Sequence, residues 1–570
     1  MLTREIRRLL KRDHRYALLV RARANSSEVR LAERVVDDSG VATQLAQLLE
    51  DARINGAGRP GELPVRALLV GLVTLALLGQ PLHLRRCAEL LANLPRPVRD
   101  RLGIIRPDGS RVTERQVTYL FSRVRRELDP SPHTADDLDE EARDIRAERL
   151  QALCDALLAA TLPDERDSGS YALDATAIEA WARGYRSPAR WRDPDAGWSV
   201  KTPGGSTDLE REGGDTKPRA AKGIFGYDVH LLTWIRDDSQ TEAPPALTER
   251  VLVFGGGRSD AETIADAVAD AIVRPAAEQP PGDVVCDRWY TQQRAGRFAM
   301  PIRRAGGQLV MELKDDQRGP QGTFRGALKV DGELYCPAMP AGLHNLPPAH
   351  YRNTGQMQAR AQVAARREPY RMLPLNLPDA NGTQRVQCPA QRGRVRCPLK
   401  EASLERDPAT HQTVVAPPQA PPACCTQKSF TVPAATLGRI KQKHPYGTAV
   451  HKASFDRRNV VEGAIGTLRN AGAQDIKKDH IRVMGLAATT LLITIAVAAM
   501  NVRLLAHHIE RTDAADDGPE DTPAGPPPPG SYDDVIQRDR AAAQRRRERE
   551  REAAQIAAAL EAGDDPPQAP

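Results

Sequence analysis

The sequence predicts an α/β protein: a mixed sheet flanked by helices, with a helical region before it and a partly β, partly irregular insertion ahead of its last helix. Three observations predict it. Between residues 171 and 313 short apolar runs follow in the order strand, strand, strand, helix, strand, helix, strand. Before residue 140 the apolar positions recur at helical spacing among many arginines. Between residues 316 and 450 that periodicity gives way to Pro, Gly and Arg.

Residues 1–140 read as helices suited to DNA binding. Pro64 to Leu78 is apolar on every side, as a buried helix is. Leu82 to Leu94 and Val112 to Leu128 are amphipathic and carry Arg85, Arg86, Arg115, Arg123, Arg125 and Arg126. Thr113-Glu114-Arg115 opens the second of these like a helix cap. Basic helical faces are compatible with helix-turn-helix recognition, and an ordinary helical bundle has the same pattern. Asp136 to Leu162 is a charged helix, so residues 141–167 are expected to link the helical region to the sheet.

Residues 168–315 form the first part of the core. Tyr171 to Leu173 is a short apolar run ending in Asp174. Phe225 to Ile235 and Val251 to Phe254 are strand-like, and Asp260 to Val273 is helical. Val284 to Cys286 is a buried-type strand ending in Asp287, followed by a helix over Thr291 to Ala305 and a strand over Gln308 to Leu313. Residues 190–220 read as loop, 316–450 as the insertion, and 451–510 as the rest of the core, with a helix through Glu462. Residues 511–570 form a tail: an acidic, proline-rich stretch expected to be disordered, then a charged helix over Gln537 to Glu561.

Gly485 to Met500 is apolar throughout, yet shorter than the ~20 residues that span a bilayer. It continues through Asn501 and Arg503, so it reads as a buried closing helix rather than a membrane span. The 570 residues carry a net charge of only +6. Arg4, Arg7, Arg8, Lys11, Arg12, Arg15, Arg21 and Arg23 nevertheless cluster near the start, as for a polyanion partner; a solvated basic helix has the same pattern. The basic start lacks the apolar core of a signal peptide, and eight cysteines without a dense framework fit a reducing cytoplasm. Cys388 and Cys397 are separated by eight residues, wider than a zinc knuckle, and the adjacent Cys424-Cys425 supplies one ligand more easily than two. Free thiols are the expectation; zinc on Cys388, Cys397 and Cys424 or Cys425 is the alternative.

The chemistry rests on three carboxylates. Asp174 and Asp287 each follow an apolar run; taken singly, each reads as a turn residue. Glu462 lies four residues after Arg458 and seven before Arg469, so a helix puts all three on one face. Val461, Ala464, Ile465 and Leu468 make the apolar stripe beside them. Gly463 and Gly466, costly inside a helix, predict close approach of another backbone or a ligand. Singly, the glutamate reads as part of a surface ion pair. Three converging carboxylates would raise one another's pKa values, and a divalent cation relieves that. An all-oxygen donor set favours Mg²⁺ or Mn²⁺, two of which suit in-line phosphoryl transfer, while arginines clamp phosphates.

Three stretches carry a family likeness: Leu173-Asp174-Ala175-Thr176, Cys286-Asp287-Arg288-Trp289-Tyr290, and Phe455-x2-Arg458-x3-Glu462-x6-Arg469. They resemble the DDE transposases of bacterial insertion sequences, the last matching that family's Y-R-E-K signature. Asp193-Pro194-Asp195-Ala196-Gly197-Trp198, Gly226-Tyr227-Asp228-Val229-His230 and Arg396-Cys397-Pro398-Leu399-Lys400 resemble an actinobacterial-type branch. The resemblance covers roughly residues 60–508. It implies an RNase H-like catalytic domain and a catalytic, metal-binding triad of Asp174, Asp287 and Glu462. It also implies two Mg²⁺ or Mn²⁺ ions, DNA phosphate contacts from Arg458 and Arg469, and a homodimer on DNA. Phe455 replaces the signature tyrosine and Arg469 its lysine, and neither change removes a metal ligand. Trp289 could stack on an extruded base at the element end, though a core aromatic is the plainer reading. His230, expected at a strand end, reads as structural. A relative that only binds DNA, and a nuclease built on the same sheet, are the alternative functions.

Overall fold

The computed structural model describes residues 26–53, 63–133, 138–163, 169–185, 187–200, 223–237, 245–277, 279–350, 353–376, 378–379, 381–470 and 474–516. The basic cluster before residue 26, most of the loop after residue 200 and the tail after residue 516 lie outside them. The chain divides into two units. One comprises the described residues up to Ser122, Thr467–His480 and those from Ile495; the other comprises Arg123–Gly466 and Ile481–Thr494.

The first unit is helical. It holds α1 (Ser26–Ser39), α2 (Val41–Asp51), α3 (Val65–Leu77), α4 (Leu84–Asn93), α5 (Arg96–Arg101) and the start of α6 (Glu114–Leu128). Every residue of α3 except Arg66 is buried, as its all-apolar sequence requires. In α6 the buried residues are Val117, Leu120, Phe121, Val124 and Leu128, a helical stripe, while Arg115, Tyr119 and Arg126 are exposed. The Gln116 side chain accepts the Thr113 N–H at 3.0 Å, which is half of a capping box and opens α6 where the sequence predicts.

In the second unit α7 (Glu140–Ala159) starts at an Asp139 cap and packs beside the sheet. The sheet centres on β1 (Tyr171–Glu179). Its other strands are β2 (Gly197–Val200), β3 (Gly223–Trp234), β4 (Thr248–Gly255), β5 (Asp283–Cys286) and β6 (Gln308–Met311). β1 is antiparallel to β3, which pairs antiparallel with β2 and β4; on its other side β1 is parallel to β5, and β5 to β6. All of β5 is buried, as a Val-rich parallel strand should be. Helix α8 (Ala261–Val273), capped by Asp260, buries Ile264, Ala265, Val268 and Ile272 against Leu173, Leu232, Val284 and Leu309. The mixed sheet and its flanking helices agree with the sequence.

Four local expectations need correction. β1 does not stop at Asp174: its pairing with β5 ends at Leu173, but its antiparallel pairing with β3 continues to Glu179. Residues Gly197–Val200 form β2 inside the expected loop. Thr291 to Ala305 is not one helix but a 3-10 turn, Tyr290–Gln292, and a short α9 (Ala299–Arg304). Pro301 fits only a first helical turn, so the helix begins just before it. His230 lies inside β3, opposite Ala175, not at its end.

The insertion has its own structure. β7 (Pro320–Phe324), β8 (Ala327–Val330) and β9 (Glu333–Tyr335) form an antiparallel meander. Arg325-Gly326 and Asp331-Gly332 make its tight turns, both residues of each pair having positive φ. Helix α10 (Thr354–Arg367) was not anticipated. β10 (Leu373–Pro374), β11 (Gln384–Gln387) and β12 (Phe430–Val432) form a second antiparallel sheet, with the short α11 (Ala423–Thr426) before β12. α12 (Ala449–Phe455) and α13 (Asn459–Arg469) follow.

The last described helix, α14 (Leu486–Asp516), is longer than expected. It is long and apolar enough to cross a membrane, yet 89% of its most apolar stretch is buried, as in a core helix. Arg503 explains its polar break: Nη2 donates to the carbonyls of Ala76 and Leu77 at 2.6 Å each, capping α3.

Candidate active site

The parallel pairing of β1 and β5 ends with Leu173 opposite Cys286. The next residue of each chain is therefore an aspartate beside its neighbour, Asp174 within β1 and Asp287 just beyond β5. The Trp289 N–H donates to Oδ1 of Asp287 at 2.9 Å, and the Ala175 N–H to Oδ1 of Asp174 at 2.8 Å. These bonds fix one oxygen of each carboxylate.

The third carboxylate arrives through an arginine. Nη1 of Arg458 donates to Oδ2 of Asp174 at 2.9 Å, and its Nη2 to Oε1 of Glu462 at 2.5 Å. Arg458 ends a 3-10 turn, Asp456–Arg458, that leads into α13. Its guanidinium lies 5.8 Å from the centre of the Phe455 ring, and Phe455 stacks on His451. Among the described residues no group of three or more His, Cys, Asp or Glu stands ready to hold a metal ion. Here the positive charge between Asp174 and Glu462 is the guanidinium itself.

Arg457 positions this segment, and the sequence reading passed it over. It is buried; Nη2 donates to Oδ2 of Asp283 at 2.8 Å and to Oγ of Ser454 at 2.6 Å, and Nη1 to the Arg236 carbonyl at 2.7 Å. Lys443 also reaches Asp283, at 2.7 Å. The turn before α13 is thus tied to the first residue of β5, the strand that delivers Asp287. The signal was available: a charged Asp283 opening an otherwise apolar strand needs a buried partner.

Burial, and then the charge of Asp174, push the Asp287 carboxyl above the usual carboxylate range; the Trp289 N–H and Arg458 oppose this. Beside it, Tyr290 is fully buried and its hydroxyl lies 2.9 Å from Nδ1 of His230. Burial lowers His230 to about 4, which favours the neutral imidazole. Trp289 is partly buried on the core, its ring 5.0 Å from Tyr290 and 5.8 Å from His230. Arg469 ends α13 and belongs to the helical unit. Among the described residues no backbone makes the close approach expected at Gly463 and Gly466: a Cβ added at either meets nothing within 4 Å, because both lie off the buried Val461, Ala464, Leu468 stripe.

The Asp193–Trp198 and Gly226–His230 stretches meet for a different purpose. The Tyr227 hydroxyl reaches both oxygens of Asp193, at 2.9 and 2.8 Å. The Gly485 N–H donates to Asp193 at 3.2 Å and the Leu486 N–H to Oδ2 of Asp195 at 2.8 Å. These acids hold the start of α14, where a carboxylate suits the helix dipole.

The acidic groups gathered here offer only oxygen donors, two of them on neighbouring strands, and burial followed by the charge of Asp174 raises the Asp287 carboxyl. No protein-family model, curated protein or solved structure matches this chain.

Proposed function

We propose that this chain is a cytoplasmic DDE transposase. It cleaves DNA at the terminal inverted repeats of its element and transfers the freed ends to target DNA, acting as a homodimer on DNA. The observation that carries this reading is Arg458 bridging Asp174 and Glu462, with Asp287 following the strand that pairs with β1. The sheet supports an RNase H-like catalytic domain: three antiparallel strands, β4, β3 and β1, continue into two parallel ones, β5 and β6.

Asp174, Asp287 and Glu462 would hold two Mg²⁺ or Mn²⁺ ions. Such ions lower the pKa of an attacking oxygen and offset charge on the leaving one. The chain's own groups do the rest. In the first step water attacks phosphorus, loses a proton to solvent, and the 3′-oxygen leaves; in the second that 3′-hydroxyl attacks a target phosphodiester and loses its proton as the target's own 3′-oxygen is expelled and protonated. Arg458, held by Phe455 stacking, exchanges its carboxylates for a phosphate oxygen, which frees Asp174 and Glu462 together. Arg469, seven residues further on α13, binds the strand beside the cut. Trp289 at the site's edge takes an unstacked base. The exposed Arg115, Tyr119 and Arg126 of α6 and the basic first residues hold flanking DNA.

The test is cleavage of a DNA carrying the element ends with Mg²⁺. Wild type is expected to cut and join, and Asp174→Asn to bind without cutting; equal cutting by the variant dismisses the assignment. A DNA-binding relative without catalysis is the second reading, favoured by the Arg458 guanidinium standing between two of the three carboxylates. Footprints at the ends with no cleavage in Mg²⁺ would select it.

A further inference from the structure

Aromatic residues are scarce in this chain, and it has only five tryptophans. Three of them, Trp181, Trp191 and Trp198, fall within residues 181–198, the stretch that leads from β1 into β2. The same stretch carries Arg183, Arg190 and Arg192. Its two acids, Asp193 and Asp195, are buried and hold the start of α14. The charge it shows to solvent is therefore positive. All three arginines are exposed, and among the described residues no acid pairs with them.

The stretch is wrapped around one ring. Phe225 is buried near the start of β3; the Trp191 ring lies 5.1 Å from it, edge-on, and the Trp198 ring 5.5 Å. A Cβ at Gly184 would come within 2.4 Å of Phe225, so the wrap closes only on glycine. The Tyr185 carbonyl accepts both indole N–H groups, from Trp191 at 2.6 Å and from Trp198 at 3.4 Å. Those bonds hold the rings by one edge and leave faces free. Trp198 keeps 38% of its surface in solvent, and Trp181 keeps 43%. Guanidinium groups already stack on this cluster. Arg190 lies 4.5 Å and Arg183 5.7 Å from the centre of the Tyr185 ring, and Arg258 4.7 Å from that of Trp191.

Two exposed indoles beside unpaired arginines forgo the burial that usually places tryptophan in a core. Flat apolar faces ringed by cations match an unpaired nucleic-acid strand, whose bases stack and whose phosphates need counter-charge. A duplex offers the same phosphates but keeps its base faces stacked inside. We propose that Trp181, Trp198 and the arginines between them bind an unpaired DNA strand, the indoles stacking on bases and Arg183, Arg190 and Arg192 pairing with phosphates. The choice of DNA over RNA rests on the function proposed above; the chemistry of the surface does not. β1 joins the two places. It ends at Glu179, five residues past Asp174, which is about 16 Å of extended chain.

The experiment is fluorescence anisotropy of the full-length protein without divalent metal. The labelled probes are oligothymidylate, its duplex with oligodeoxyadenylate, and oligouridylate. Wild type is expected to bind the single DNA strand. Trp181→Ala and Trp198→Ala should each weaken that binding about tenfold and change duplex binding by less than about twofold. Trp198→Phe keeps a ring and should stay within about threefold of wild type. Replacing Arg183, Arg190 and Arg192 together by alanine should flatten the slope of log K against log salt by about 2, at roughly 0.7 per phosphate on a single strand. Trp181 is exposed, so its variant reads the proposal even where Trp198→Ala disturbs the fold. No binding of the single strand by wild type, unchanged affinity in the alanine variants, or equal losses on single strand and duplex overturns the proposal. Tighter binding of oligouridylate overturns the choice of DNA. Dimerisation of wild type without DNA that Trp198→Ala abolishes assigns the surface to a second copy instead. Asp174→Asn should bind oligothymidylate as wild type does, so the end-cleavage test can fail while this one succeeds.

Discussion

At the residue scale, Asp287 is a carboxylate that the fold penalises. Burial and Asp174 raise its pKa, so ionising it costs folding free energy. The sign follows: its contribution is fully present below the unfolded-state pKa and is lost as pH rises through the folded one. At neutral pH, without metal, Asp287→Asn should therefore raise Tm, on the order of 2 °C, while abolishing cleavage. Added Mg²⁺ should raise the Tm of wild type but not of this variant. An unchanged Tm in metal-free buffer would mean that Arg458 already compensates the charge. Arg458 behaves oppositely. Its side chain is 17% exposed, as against 49% for Glu462, so the Asp174 bond rather than the Glu462 bond carries the stability. Arg458→Ala should cost roughly 1–3 kcal/mol without metal. Part of that should return on adding Mg²⁺, giving a larger thermal shift than in wild type. Apolar runs pointed to Asp174 and Asp287, and the four-residue spacing to Arg458 and Glu462, although the expected single helix from Phe455 to Arg469 is broken: Arg458 ends a 3-10 turn and α13 starts at Asn459. Asp283 was marked by its charge at the head of an apolar strand, but its partner Arg457 was not, because a buried ion pair between residues 174 apart leaves no periodic trace.

At the scale of elements, the central strands could be read from their apolar runs, and α3 and α8 from their burial pattern. The failures share a cause. β1 runs on through Asp174-Ala175-Thr176, which breaks the apolar run, and only pairing with β3 keeps it extended. The insertion's strands are two to five residues long, too short for a period; Asp331-Gly332 was their best local signal. The element on which the site depends is the turn into α13, and Arg457 is its anchor. Arg457→Ala leaves Asp283 buried with Lys443 as its charged partner, and should cost about 3–5 kcal/mol by urea denaturation. Cleavage should fall with it, although no proposed ligand is altered. At the other end of the core, Asp195→Ala removes the acceptor at the start of α14 and should cost about 1–2 kcal/mol, with less effect on chemistry.

At the scale of the whole molecule, the helical unit could not be delimited from sequence. It ends at Ser122, inside α6, rather than near residue 140, and it regains Thr467–His480 and the chain from Ile495. Periodicity reports a helix, not the partner it packs on. Charge is easier to read. Residues 1–25 contain eight basic and two acidic side chains, a balance equal to the chain's whole net charge of +6. The remaining residues are therefore neutral in sum, and their arginines are largely matched by acids, as Arg85 is by Glu89 at 2.9 Å. If this chain holds DNA, most of the counterion release should come from that first segment. Each phosphate neutralised contributes about 0.9 to the slope of log K against log salt. Deleting residues 1–25 should flatten that slope by several such contacts and weaken binding at low salt far more than at high salt. Fluorescence anisotropy of a labelled element end across a salt series measures both, with Asp174→Asn as the control whose slope stays unchanged. An unaltered slope after the deletion would place the phosphate contacts on the helical faces around Arg86, Arg115 and Arg126 instead.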